Sequence, residues 1–186
     1  MLKVTIKQAT PWSRALDAAR FTVNKEMLHK EPSDTWKKSM LLAEHSPIRL
    51  VEYDIIIEDL TNESMGHLVR HHAGLEKFVA TLRDDRSGID PIKVTYLTPR
   101  KILLSCNTQA LINISRKRLC NKAHRDTIIV WNAVKKEMEK VDPIMADAMV
   151  RECVYRGFCP EPASCNFDKT SVFLTNLMNY RNGRKD

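Results

Sequence analysis

Gly66-His67-Leu68-Val69-Arg70-His71-His72-Ala73-Gly74 crowds one arginine and three histidines into nine residues, just after a long apolar stretch. The spacing predicts a helix over 62–73. Thr61 or Asn62 caps it, and Glu63 in the first turn suits the helix dipole. Met65, Leu68, Val69 and His72 fall at i, i+3, i+4 and i+7 and define a face to bury. His67, Arg70 and His71 share a different face. Gly74 ends the helix in a left-handed cap. Arginine and histidine presented together beside an apolar strand make a surface for an anion or a cofactor. His67 and His71 at i, i+4 also have metal-helix spacing, but no Glu follows His67, so no metal is assigned.

Outward from this stretch the chain alternates strand and helix signals. Leu2, Val4 and Ile6 mark a half-buried strand over 2–9. Pro11 opens a helix over 12–24, and Ser33 or Asp34 caps a second that runs to Glu44. Ile48 to Asp59 reads as a long strand, its run Asp54-Ile55-Ile56-Ile57 nearly continuous. A charged loop over 83–91 follows, then one or two strands over 92–106, broken at Pro99. Asn107 to Val141 is the longest helical pattern, striped by Leu111, Ile114, Ile128, Trp131, Val134 and Met138. Asp142-Pro143 stops it. Short helices are read over 144–150 and 172–180. The class is α+β: one domain over 1–186 with a small, mostly antiparallel sheet and helices packed on it.

The 186 residues include 43% hydrophobic ones, enough for a sizeable core. A formal charge of +7 points to anionic partners such as phosphates or nucleotides. Nucleic acid is a poor fit. Aromatics are only 6%, so a basic stripe interleaved with stacking rings is missing. Arg116-Lys117-Arg118, the best basic patch, reads equally as a solvated helix face. Five glycines leave no room for a Gly-rich phosphate loop, and no serine sits in a nucleophile turn. The odd count of five cysteines, with no secretory leader read at Met1, predicts reduced thiols in a cytoplasm. No apolar run reaches the roughly 18 residues of a membrane span. Cys153, Cys159 and Cys165 lack a Cys-x-x-Cys pair and are read as packed thiols; a metal site would need Cys106 or Cys120 as well.

A second informative stretch is Asn107-Thr108-Gln109-Ala110-Leu111-Ile112-Asn113-Ile114-Ser115-Arg116-Lys117-Arg118. Asn107 stands where its side chain can cap a helix. Asn107 and Arg118 lie three turns apart on a similar face, and Gln109 and Asn113 stand at i, i+4. Amides and a guanidinium at an open helix end can hold a donor-rich ring or a phosphate.

Four segments in order resemble the flavin-dependent thymidylate synthases. Ala18-Ala19-Arg20-Phe21-Thr22 is similar to the first helix turn into the family's Ser/Thr flavin contact. Glu44-His45-Ser46-Pro47 resembles its Glu-His-Ser/Thr-Pro. His67-Leu68-Val69-Arg70-His71-His72 is similar to the hallmark Gln-x-x-Arg-His-Arg. Asn107-x-Gln109-x-x-x-Asn113-x-x-x-x-Arg118 has the spacing of Asn-x-Arg-x-x-x-Asn-x-x-x-x-Arg. The resemblance implies a thymidylate synthase-complementing-protein-like fold and FAD bound by Thr22, Ser46, Arg70, His71, His72, Asn107, Gln109 and Asn113. It implies dUMP bound by His67, Thr81, Arg83 and Arg118, with Arg118 at the pyrimidine and Arg83 near the phosphate. Arg118 and Arg70 are the implied catalytic residues. NADPH and methylenetetrahydrofolate are the implied co-substrates, and a homotetramer with sites between subunits the implied assembly.

The chain also departs from that pattern. His72 and Gln109 stand where the family has arginines, and Arg49 where it often has Glu. Thr81-Leu82-Arg83-Asp84 is the nearest match to its Ser-x-Arg-Tyr. Only 20 residues separate Arg86 from Asn107, where the family places a helix pair. Two other readings stay open: the same flavin and folate chemistry on another pyrimidine, such as hydroxymethylation, or a non-enzymatic basic protein that binds nucleotides or nucleic acid.

Overall fold

A computed structural model describes residues 1–182 of the chain. The sheet is built from β1 (Lys3–Gln8), β2 (Glu52–Leu60), β3 (Leu75–Val79) and β4 (Arg100–Asn107). Their order is β1-β2-β4-β3, and every neighbouring pair is antiparallel. Helices surround it: α1 (Trp12–Phe21), α2 (Asp34–Ala43), α3 (Asn62–Leu68), α4 (Asp84–Ser87), α5 (Thr108–Arg118), α6 (Arg125–Val141), α7 (Pro143–Ala148), α8 (Glu152–Arg156) and α9 (Ser171–Asn182). This is the α+β class that the sequence pattern predicts. No described helix is long and apolar enough to cross a membrane.

Register fixes the core. Val4, Ile57 and Ile102 align across three strands, as do Ile6, Ile55 and Leu104, and then Gln8, Tyr53 and Cys106. Period-two alternation therefore sends Ile6, Tyr53, Ile55, Ile57, Ile102, Leu104 and Cys106 to one face, and all are buried. Leu111, Ile114, Trp131, Val134 and Met138 complete that core from α5 and α6. On the other face Lys7 stands opposite Asp54 and Lys3 opposite Glu58, pairings of opposite charge that fit a wetter surface. A bulge between Ile57 and Leu60, with Asp59 at φ +62°, bends the end of β2 into α3.

Several expected boundaries move. Residues Ser46–Leu50 form a 3-10 turn, and β2 starts at Glu52. Of the expected strand signal over 92–106 only Arg100–Asn107 is extended, while Pro91–Lys93 forms a 3-10 turn. The long helical pattern from Asn107 is two helices. The run Asn121-Lys122-Ala123-His124-Arg125-Asp126 offers almost nothing to bury, and the chain turns there. The helix expected over 62–73 stops at Leu68. The Lys77 ammonium donates to the carbonyl oxygens of Val69 (3.1 Å) and His71 (2.6 Å), the first of which a helix reaching Ala73 would use in its own ladder. β3 carries no clear signal, since Leu75 alone is buried and Phe78 and Val79 are exposed.

One buried carboxylate joins distant parts of the chain. Asp142 Oδ2 accepts from Trp12 Nε1 (2.7 Å) and from the Tyr53 hydroxyl (2.6 Å). Its Oδ1 caps α7 by accepting from Met145 N (2.9 Å). Burial and this carboxylate push the Tyr53 phenol far above its ordinary range, so it remains a donor. Asp142→Ala leaves two buried donors unpaired and uncaps α7; the expected loss is about 3 kcal/mol or more. Asp142→Asn is expected to retain roughly half of that, and urea unfolding of both variants measures it.

Candidate functional site

The stretch that ends α3 meets the C-terminal end of α5. Arg118 Nε donates to His71 Nε2 (2.9 Å), and Arg118 Nη2 donates to the main-chain oxygen of His67 (2.9 Å). The first bond fixes a tautomer: Nε2 of His71 accepts, so its proton sits on Nδ1. The His67 ring is held from the other side. Its Nδ1 lies 2.8 Å from the hydroxyl of buried Thr127, and His124 meets it edge-on at 5.3 Å between ring centroids. Lys77 closes the turn, reaching His72 Nδ1 (2.9 Å) besides the two carbonyls already described.

The electrostatics keep the imidazoles neutral. Burial, joined by the cations of Arg118 and Lys77 and by His72, pushes His71 down to about 4. Burial, Arg118, His124 and Arg70 hold His67 below its ordinary value. Burial and Arg70 also lower Arg118. Two neutral imidazoles therefore sit among permanent cations. Arg118 uses two of its five N–H bonds on the protein. The cluster is open to solvent through Arg70 and His72, which are both exposed.

The start of α5 is seated against the same turn. Asn107 accepts at Oδ1 from Ala110 N (2.9 Å), the helix cap that the sequence predicts, and its own N–H bonds to Gly74 O (3.0 Å). Gly74 has φ +69°, and a Cβ there would fall 2.6 to 2.9 Å from the Asn107 side chain. One turn along α5, Gln109 Nε2 donates to Glu44 Oε2 (2.6 Å) and lies 3.4 Å from Asn113 Oδ1. Glu44 is also bonded to Arg116, whose guanidinium lies 3.4 Å above the Tyr155 ring.

Of the residues singled out by sequence, His67, His71 and Arg118 are joined directly. Arg70 joins them electrostatically, His72 through Lys77, and Asn107 through Gly74. The expected shared helical face of His67, Arg70 and His71 is absent, because only His67 lies within α3. His72 was expected on the buried face and is exposed. Gln109 and Asn113 form a second group with Glu44. Four others stand apart. Thr22 is exposed at the end of α1 and donates to Ala19 O (2.8 Å). Ser46 is exposed at the start of its 3-10 turn, which packs against both α1 and α5. Thr81 accepts from Arg83 N (3.1 Å), and Arg83 grips Asp85 through two bonds (2.9 and 2.8 Å).

Lys77, Thr127 and His124 were not anticipated. Thr127 and His124 lie across a helix break that the apolar stripe concealed, and Lys77 sits on the strand that gave no signal. A cleft of about 760 Å³ lies elsewhere, between α6 and α9, with Lys135, Lys136 and Asn179 on its walls. It holds none of the residues named above.

No family model matches the chain, and no curated relative does. Solved structures do. A UMP/dUMP methylase, PolB from Streptomyces cacaoi, bound with 5-Br dUMP, superposes with a TM-score of 0.57 at 13% identity, over 78% of this chain and 94% of that one. Thymidylate synthase X (ThyX) from Helicobacter pylori, with FAD and dUMP, superposes with a TM-score of 0.59 at 13% identity, over 78% and 99%. A further structure of that enzyme, complexed with FAD and dUMP, gives 0.57 at 16%, over 73% and 93%. The chain has the fold of these proteins.

Two outcomes test the site's construction. In the unfolded chain His71 titrates near 6.5, against about 4 in the fold. Between those values the unfolded state holds the extra proton, so stability falls as pH drops from about 6.5 toward about 4 and is complete above it. His71→Gln is expected to flatten that slope in urea unfolding. Gly74→Ala is expected to cost about 1–3 kcal/mol and to displace the Asn107 cap, visible as a lower unfolding midpoint.

Proposed function

We propose that this protein is an FAD-dependent, thymidylate synthase-like transferase. It moves a one-carbon unit from methylenetetrahydrofolate to dUMP, with NADPH as the source of reducing equivalents. One observation carries the reading: Arg118 held in place by His71 and the His67 main chain, next to exposed Arg70, in a fold whose solved neighbours are bound with FAD and dUMP or 5-Br dUMP. The donor set fits these ligands. A guanidinium with spare N–H bonds, a second exposed guanidinium, two amides on α5 and neutral imidazoles suit a flavin and a nucleotide phosphate.

When bound, a reduced flavin supplies the hydride. The protein's own groups bind, orient and hold charge. Arg118 donates to a pyrimidine carbonyl and stabilises the negative charge that gathers on that oxygen as C5 becomes nucleophilic. His71, neutral above about pH 4, accepts the Nε–H of Arg118 and fixes the guanidinium plane before substrate arrives. Thr127 holds the His67 ring at the nucleotide side. Arg70, His72, Asn107, Gln109 and Asn113 face the flavin, with Glu44 tethering Gln109 in place of a fixed positive charge. Thr22, Ser46, Thr81 and Arg83 lie apart in one protomer, and a cytoplasmic homotetramer with sites between subunits brings them to the cluster.

The visible spectrum of the purified protein, before and after FAD and then dUMP, tests this. The expected result is a flavin band that shifts when dUMP is added. Arg70→Ala is expected to abolish flavin retention. Arg118→Ala is expected to keep the flavin, lose the dUMP shift and slow turnover by about 10²–10³. A colourless protein at every FAD concentration, with nucleotide affinity that falls steeply with salt, would overturn the redox reading.

A further inference from the structure

Four of the five cysteines converge on one place. Cys120 follows the end of α5, Cys153 lies in α8, and Cys159 and Cys165 lie on the irregular stretch between α8 and α9. All four line a single cavity of about 50 Å³. The fifth, Cys106, belongs to the sheet core.

The segment that carries them has little apolar support. Its own buried cluster consists of Cys153, Val154 and Phe173, set apart from the main core. Val150, Cys159, Phe167, Leu177 and Tyr180 pack half-buried against it, so the stretch rests on a small satellite core. Polar bonds nevertheless shape the loop around the cavity. Asp168 accepts from the Ser164 hydroxyl (2.9 Å) and from Cys159 N (3.3 Å), and Ser164 Oγ accepts from Asn166 N (2.9 Å). Lys122 Nζ donates to Ala163 O (3.0 Å), which ties the turn holding Cys120 to the loop between Cys159 and Cys165. The Arg151 guanidinium lies 4.0 Å above the Phe167 ring at the same wall.

We propose that Cys120, Cys153, Cys159 and Cys165 form a tetrathiolate site for one zinc ion, which staples the C-terminal stretch to the end of α5. Four sulfurs are a closed, structural zinc set, and the cavity has room for a single ion. Among the described residues no three ligands yet stand together at coordination distance. Binding therefore draws the thiols inward, and the irregular loop with Cys159 and Cys165 is the part free to give. Each thiol loses its proton to solvent as it becomes a thiolate ligand, with no change of oxidation state. Zinc with four thiolates carries two net negative charges. Lys117 and Arg151 line the cavity to offset them, with Arg116 already shared with Glu44; of the three acids there, Glu152 is bonded to Arg156, Asp168 to the loop, and Glu161 is exposed to solvent. The site lacks a Cys-x-x-Cys pair: Cys153, Cys159 and Cys165 are spaced by six, and Cys120 comes from the turn after α5.

Cobalt titration of the reduced, metal-free full chain is the test. The expected result is a sulfur-to-cobalt charge-transfer band with a tetrahedral d–d envelope, saturating at one equivalent and bleached by zinc. Cys120→Ser and Cys165→Ser are expected each to lose most of that intensity, while Cys106→Ala retains it. In parallel, zinc is expected to shield Cys120, Cys153, Cys159 and Cys165 of the native wild-type chain from a thiol reagent that reaches them without metal, while Cys106 stays closed off in the core in both cases. No cobalt band in the wild-type chain, or a band that survives the Cys120→Ser/Cys165→Ser double variant, overturns the proposal. So does unchanged reagent access to Cys120, Cys159 and Cys165 with zinc present. These wild-type readings stand whether or not a variant folds, and none depends on flavin or nucleotide.

Discussion

A single buried carboxylate sets the frame on which everything else hangs. Asp142 is reached by the indole of Trp12 on α1, the phenol of Tyr53 on β2 and the first turn of α7. A charged acceptor out of water is tolerated only when its donors are in place, and each donor is itself costly to bury unpaired. The three segments therefore position one another. Tyr53 pairs with Cys106 on β4, so the carboxylate indirectly sets the register of the strand that delivers Asn107. Asn107 starts α5, and α5 ends at Arg118. The line from the structural acid to the guanidinium of the proposed site is one continuous piece of backbone logic.

That line was partly legible in the sequence. The pattern of β2 is apolar enough to read as a strand, although it starts at Glu52 and not at Ile48, and Asp142-Pro143 reads as a helix stop. The Asn107 cap was visible because cap residues act through local geometry. What the sequence concealed are the features that depend on distant partners. The helix expected through Ala73 ends at Leu68, and a lysine on the strand that follows bonds the carbonyls beyond its end. β3 buries only Leu75, so its strand character comes from pairing with β4 and leaves no periodic trace. The break before α6 was masked by an apolar stripe that resumes in nearly the same phase.

The site followed the same division. Residue types and spacing pointed to His67, His71 and Arg118, and the fold brings them within hydrogen-bond reach. The reason they meet was not legible, since it is a turn and not a shared helical face. Thr22, Ser46, Thr81 and Arg83 were named through likeness to a family whose sites are shared between subunits. In one protomer Thr22, Thr81 and Arg83 bond to local partners, and Ser46 is exposed. Gln109 is held by a partner far away in sequence: Glu44 bonds its amide and Arg116 together.

Lys77 carries a further consequence. It stands on β3, the outermost strand, which is joined to the sheet by β4 alone. Outer strands with one neighbour are among the first segments to open in native-state fluctuations. The ammonium that orders the turn after α3 therefore rides on one of the least anchored parts of the sheet. When β3 peels away, the carbonyls of Val69 and His71 lose their shared donor and the turn presenting Arg70 and His71 relaxes with it. The order of this surface is thus set by the breathing of a sheet margin, and any body that adds hydrogen bonds along β3 would tighten the arginine–histidine cluster without touching it.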